Sequence, residues 1–207
     1  MFYRLDVAKC RSRGKYIVAI DNDRDTKWYL TYNTIEDIEK AGDKHHYEII
    51  NGPQRIYFDI DAKLEDNDIK DFDIFIEDFV KHIKKMYKTE VNIYESNTKV
   101  KLSYHIILCN IATMDNTQCK ARAQEIIDAF DHPYKKYIDM KVYRINQLLR
   151  MLGNSKINKD NTKKIYKCFD SSFKGSLVSN IDDAVMLKDL DAKYLILPPR
   201  LQIEKYK

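Results

Sequence analysis

The stretch Arg55-Ile-Tyr-Phe-Asp-Ile-Asp-Ala62 sets two acids into an otherwise apolar run. Ile56, Phe58 and Ile60 alternate with Tyr57, Asp59 and Asp61. That period of two, in β-branched and aromatic residues, predicts a half-buried strand with both carboxylates on one face. Side by side on such a surface, two carboxylates repel each other and lose hydration, so positive charge has to stand near them. A divalent cation meets that need, and a ligand set made only of oxygen points to magnesium or manganese rather than zinc. A solvated sheet face with the acids salt-bridged to lysines meets it as well.

The chain of 207 residues is long enough for one domain with a substantial core. The expected organisation is a single catalytic domain over 1–207, divided into an N-terminal layer (1–50), a central block carrying the motifs (51–160) and a C-terminal part (161–207). A net charge of +4 says little by itself, but its distribution is uneven. Residues Asp59 to Asp78 hold nine acids and two bases, whereas Lys141 to Lys167 hold eight bases and one acid. An acidic site opposite a basic tract suits a metal bound beside a polyphosphate or a nucleic acid. The four cysteines, Cys10, Cys109, Cys119 and Cys168, have no zinc-site spacing and read as reduced thiols, Cys109 as a small core residue. There is no apolar run of transmembrane length and no signal-peptide pattern, so a reducing cytoplasmic or nuclear-type compartment is expected, with no membrane partner.

In chain order, Lys15–Ile20 and Lys27–Tyr32 predict a hairpin, with Trp28 as a packing residue. Thr34 predicts the cap of a short helix that Gly42 ends. His45 and His46 lack a third ligand at helical or hairpin spacing and are read as surface or packing residues. The strongest helical pattern runs from about Asp68 to Lys88, with acids at its start and lysines at its end to complement the helix dipole. Much of the acidic excess is therefore structural. Lys99 to Asn110 alternates again, placing Ser103 and His105 on one face of a second strand. No nucleophile turn or orienting third group accompanies them, so binding of a phosphate or sugar suits them better than hydrolysis, and a satisfied core histidine is the alternative. A second amphipathic helix is expected at about Asn116 to Phe130, ending at His132-Pro133. Asp139 then stands alone among apolar residues. Beyond it Arg144, Arg150 and Lys156 punctuate an apolar run that turns at Gly153-Asn154. They form either a surface for a triphosphate or template backbone, or a basic solvated loop. Short strand-like runs at Ile165–Phe169 and Tyr194–Leu197 precede Pro198-Pro199, which marks an ending.

Taken together, Asp59-x-Asp61, Ser103-x-His105 and the later Asp139 resemble the three motifs of the archaeo-eukaryotic primase superfamily, in the same order. The lead-in His46-Tyr-Glu-Ile-Ile50 resembles its primase-polymerase branch. The block from Asp139 to Tyr143, continuing through Leu149-Arg150 to Gly153 and Lys156, is similar to the primase domain of poxvirus-type primase-helicases of large DNA viruses. The likeness spans about His46 to Lys156. It implies an α/β (mixed α+β) fold with a primase-type catalytic sheet flanked by helices behind a small N-terminal layer. It also implies a DNA-directed primase or polymerase acting by nucleotidyl transfer in viral DNA replication. Asp59, Asp61 and Asp139 would hold two magnesium or manganese ions, Ser103 and His105 would contact the phosphates of an incoming NTP or dNTP, and Lys101, Arg150 and Lys156 would neutralise them. The implied partners are a single-stranded DNA template, the nascent primer and a linked or associated helicase, this chain being one part of a longer primase-helicase. The chain departs from the pattern at Gln147, where cellular primase-polymerases often carry an arginine eight residues after the third acid; Arg144 lies three residues earlier. A D-x-D glycosyltransferase, a metal-dependent nuclease and an inactive nucleic-acid-binding module are the competing readings.

Overall fold

The computed structural model describes residues 16–21, 27–65, 69–156, 165–168 and 172–187. Across these residues the chain is a mixed α/β fold with two sheets and three helices. The first hairpin forms as the alternation requires: β1 (Tyr16–Asp21) pairs antiparallel with β2 (Lys27–Tyr32). Thr34 caps α1 (Ile35–Lys40) through a reciprocal capping box with Asp37, and Gly42 follows in the left-handed conformation that glycine enters without steric cost. β3 (His46–Ile50) pairs with β1 on one side. On its other side it takes β7 (Gln147–Arg150), giving the order β2-β1-β3-β7. The N-terminal layer is therefore not made by residues 1–50 alone, because the central block supplies its fourth strand.

The second sheet holds the acidic stretch. β4 (Gln54–Lys63) pairs antiparallel with β6 (Lys101–Thr113), which also pairs with β5 (Val91–Glu95), and β5 pairs with β8 (Ile165–Cys168). A two-residue strand, β9 (Val185–Met186), runs parallel to β6. Helices α2 (Phe72–Met86) and α3 (Asn116–Asp128) cover the apolar face of this sheet. Phe58 meets Phe79 edge-on at 4.9 Å between ring centres, and Phe79 meets Phe130 at 5.1 Å. Buried aromatic packing of this kind anchors α2, whose sequence alone could not hold a helix so firmly.

Several local expectations change. α2 starts at Phe72 rather than near Asp68, because Asp71 adopts a left-handed backbone and makes no side-chain cap. α3 ends at Asp128, two residues early, and His132 caps a 3-10 turn over Pro133–Tyr137. Trp28, on the edge strand β2, is 46% exposed and so only partly packed. Cys109 is only half-buried, whereas Cys119 is fully buried. The runs at Tyr194–Leu197 and Pro198-Pro199, Cys10, and the hairpin loop lie outside the described residues. No helix among the described residues is long and apolar enough to cross a membrane.

Candidate metal and phosphate site

Pairing of β4 with β6 brings the two short motifs face to face. In register, Asp59 opposes His105 and Asp61 opposes Ser103, so all four side chains leave the sheet on the face opposite Phe58. His105 Nε2 stands 3.4 Å from Asp59 Oδ1, and Lys101 Nζ reaches Asp61 Oδ2 at 2.7 Å. Behind His105, Tyr94 occupies the opposing position on β5 and is fully buried.

The third acid arrives on a separate segment that seals the free edge of β4. Ile138 bridges to Ile60, and the Asp139 N–H donates to the Asp59 carbonyl at 2.8 Å. Two tyrosines hold this segment in place. The Tyr57 hydroxyl donates to the Val142 carbonyl at 2.7 Å, and the Tyr143 hydroxyl donates back to the Tyr57 carbonyl. Both rings are buried, so these bonds are not exchanged readily for water. Asp139 also caps the short 3-10 turn at Met140–Val142, accepting from the Lys141 N–H at 2.7 Å.

Positive charge reaches the face from the other sheet. Arg150, at the end of β7, is buried and donates to the Ser96 hydroxyl just beyond β5, which bridges the two sheets. Burial pushes its guanidinium pKa down, while Tyr47, Asp59, Asp61 and Asp43 act to hold it charged. The Asp59 carboxyl is pushed up to about 7, first by desolvation and then by Asp61, with Asp139 adding to the rise and Lys101 and Lys156 opposing it. The structure therefore brings Asp59, Asp61, Asp139, Lys101, Ser103, His105, Arg150 and Lys156 into one electrostatic neighbourhood. Arg144 precedes β7 on a short turn. Exposed on the turn before β7, it accepts from Asn116 Nδ2 at 2.7 Å through its carbonyl, at the α3 end of the sheet. Gln147 likewise sits at the far end of β7, opposite Ile50.

Do these residues suit a divalent ion? The acidic donors are all oxygen, and Asp59 Oδ1 and Asp61 Oδ1 are buried with no hydrogen-bond donor on them. A hard cation satisfies such oxygens, so donor chemistry and burial both fit magnesium or manganese. Among the described residues no three His, Cys, Asp or Glu side chains already converge on one point. Asp61 is turned to Lys101 and Asp139 to its own cap.

Sequence reading did not single out Ser96, Tyr57 or Tyr143, which position Arg150 and Asp139. Their signals are too common: a serine after a strand and tyrosines in an apolar run describe ordinary core as well. The histidines expected as packing residues divide between two roles. His46 is buried, its pKa driven down to about 4 by burial, and pairs with the Tyr32 hydroxyl at 3.0 Å; His45 is half-exposed beside Asp43 and Ser155. Compared with known proteins, the chain matches no family model and no curated sequence.

Proposed function

We propose that this face is the active site of a primase-type nucleotidyltransferase, which extends a strand on a single-stranded DNA template from nucleoside triphosphates. The observation that carries the reading is the register of β4 and β6. Two acids directly oppose a serine and a histidine, and a third acid is hydrogen-bonded to the same strand from its other edge. An acid cluster alone would serve many metal enzymes. Joined to a hydroxyl, an imidazole and three cationic side chains, it forms a surface with separate places for cations and for phosphate oxygens.

Asp59, Asp61 and Asp139 would hold two magnesium or manganese ions. When bound, these supply the charge that makes a 3′-hydroxyl a better nucleophile and pyrophosphate a better leaving group. The remaining roles belong to the protein. Ser103 and His105 offer donors to phosphate oxygens along β6. Lys101 and Lys156 bring point charges, and Arg150 brings a planar fork that Ser96 holds against rotation. These groups bind and orient the triphosphate so that its α-phosphorus faces the attacking oxygen as pyrophosphate departs. The bases between Lys141 and Lys167 suit the template backbone by their number.

Product formation on single-stranded DNA tests the reading, with and without an annealed primer, using labelled ribonucleotides or deoxyribonucleotides and either metal. Template-dependent products lost in Asp59→Asn are expected. Products without a primer establish a primase, and extension only from a primer establishes a polymerase. Synthesis by Asp59→Asn near the wild-type rate would rule out the metal role. Degradation of the DNA, or transfer from nucleotide sugars, would replace the reading with a competing one.

A further inference from the structure

The ends of β4 and β6 carry two lysines on the carboxylate face. Period two along β4 puts Lys63 on the side of Asp59 and Asp61, and the register sets it directly opposite Lys101. Like charges in facing positions of an antiparallel pair repel, so a nearby anion draws one of them away. Lys101 turns to Asp61, the residue diagonal to it, with its Nζ 2.7 Å from Oδ2. The backbone beneath is pinned on both sides. The Leu64 N–H donates to the Val100 carbonyl at 3.0 Å, and the Thr98 N–H to the Lys101 carbonyl at 2.8 Å. Asn97 Oδ1 accepts from the Ser103 N–H at 2.8 Å, and the Ser96 N–H donates to the Ser103 carbonyl at 2.9 Å. Any displacement of the Lys101 ammonium is therefore a swing of its four-carbon stem, and that side chain is 37% exposed.

The ion pair engages a carboxylate that the proposed metal also needs. Asp61 Oδ1 is buried without a donor, while Oδ2 holds the ammonium. A dication on Oδ1 with the ammonium still on Oδ2 would stand roughly 5 Å from it, and their repulsion is twice that of two unit charges at the same separation. The bond that yields is the ammonium's, because an ion pair between side chains more than a third exposed is weak and lysine can turn to water or to another anion. Ser103 faces Asp61 across the strands, so the phosphate oxygens that Ser103 would contact lie beside the displaced lysine.

We propose that Lys101 and a divalent ion exchange at Asp61: metal binding displaces the Lys101 ammonium from the carboxylate onto the triphosphate of the nucleotide, where Lys63 joins it as a second cation. The proposal rests on reading this face as a metal and triphosphate site, and it adds Lys63 to the groups that hold the phosphates. One lysine thus opposes metal binding and favours nucleotide binding, so loss of its charge moves the two affinities in opposite directions. A lysine that served only the fold would move both the same way or neither.

Two affinities of the full chain test it. Manganese binding is followed by the electron paramagnetic resonance signal of the free ion at about 0.15 M salt, and binding of a fluorescent nucleoside triphosphate is then measured at saturating manganese. Lys101→Met should tighten manganese about two- to fivefold and weaken the nucleotide about five- to tenfold. Lys63→Met should weaken the nucleotide about two- to fivefold and change manganese by less than about twofold, since Lys63 is not the lysine bonded to Asp61 and salt screens its charge. Thermal unfolding in EDTA checks that the variants fold, and Lys101→Gln carries the test should the methionine variant fail to. Manganese affinity unchanged or weakened in Lys101→Met, or tightened equally by Lys63→Met, would overturn the exchange while sparing the reading of the site. Tighter manganese with unaltered nucleotide binding would overturn it too, and nucleotide binding untouched by Lys63→Met would remove Lys63 from the phosphates. A wild-type chain that binds manganese no better than Asp59→Asn would sink both the site and the exchange.

Discussion

Asp59→Asn should make the protein more stable while removing the proposed nucleotidyl transfer, and the gain should depend on pH. The Asp59 carboxyl is raised from an ordinary 3.8 to about 7 in the fold, chiefly by desolvation and by Asp61. Because the folded value is the higher one, the native state keeps a proton that the unfolded chain has already released. Below an ordinary carboxylate pKa both states are protonated and the residue contributes nothing. As pH rises from there towards 7 the native state loses stability, and above 7 the full penalty stands. At about 1.4 kcal/mol per pH unit, the span corresponds to about 4 kcal/mol as a ceiling, and partial hydration of the side chain leaves about 2–4 kcal/mol. Asparagine has nearly the same shape and no charge. For a chain of this size it should raise Tm by roughly 5–15 °C near pH 8 and by almost nothing near pH 4. Differential scanning fluorimetry in EDTA across that range is the assay. A Tm difference independent of pH, or an Asn variant less stable than wild type near pH 8, would refute the argument that buried charge is the cause. If the face holds the proposed metal, adding magnesium should then stabilise the wild type and leave Asp59→Asn nearly unmoved, since a ligand carboxylate is lost.

Two further outcomes follow from the same face. On the proposed reading, His105→Ala should raise the nucleotide KM or lower the rate, while Tm changes little, because it would remove a phosphate contact and leave the acids in place; unchanged kinetics would reject the contact. Tyr143→Phe removes the buried hydroxyl that donates to the Tyr57 carbonyl, and should cost about 1–2 kcal/mol in urea unfolding while weakening magnesium binding, since Asp139 is carried on that segment. Weakened unfolding with intact metal affinity would show that the tyrosine clamp is structural only.

Alternation along β4 and β6 made much of the site legible in the chain itself. With period two, Asp59 and Asp61 share a face, as do Ser103 and His105, and any antiparallel pairing that buries Phe58 against helices turns both pairs to the other side. Their pairing partners were not legible, because hydrophobic alternation says which side of a strand is wet and not which strand lies next to it. The hairpin, the Thr34 cap and the two long helices were visible for the same local reason. β7 was invisible as a member of the first sheet: Leu148-Leu149 suits several neighbours, and its partner Tyr47 lies about a hundred residues earlier. Trp28 is more exposed than its residue type suggests because it lies on an edge strand. Arg144 comes before the turn at Asn146, whose left-handed backbone leads into β7, and spacing from Asp139 alone does not say where its side chain ends. Charge in a list of residues does not say which end of a strand carries it.

The pairing of β3 with β7 also bears on how the molecule is made. Tyr47 and Arg150 are register partners, so the first sheet waits for its fourth strand until most of the chain exists. Loop closure over that separation is slow compared with forming the hairpin or the helices, and it comes after local structure has formed. Arg150 and the turn carrying Lys156 therefore take their places late. A ribosome releasing this chain exposes the acidic face first and supplies its countercharge last, so during synthesis Lys101 is the cation already in place beside Asp61.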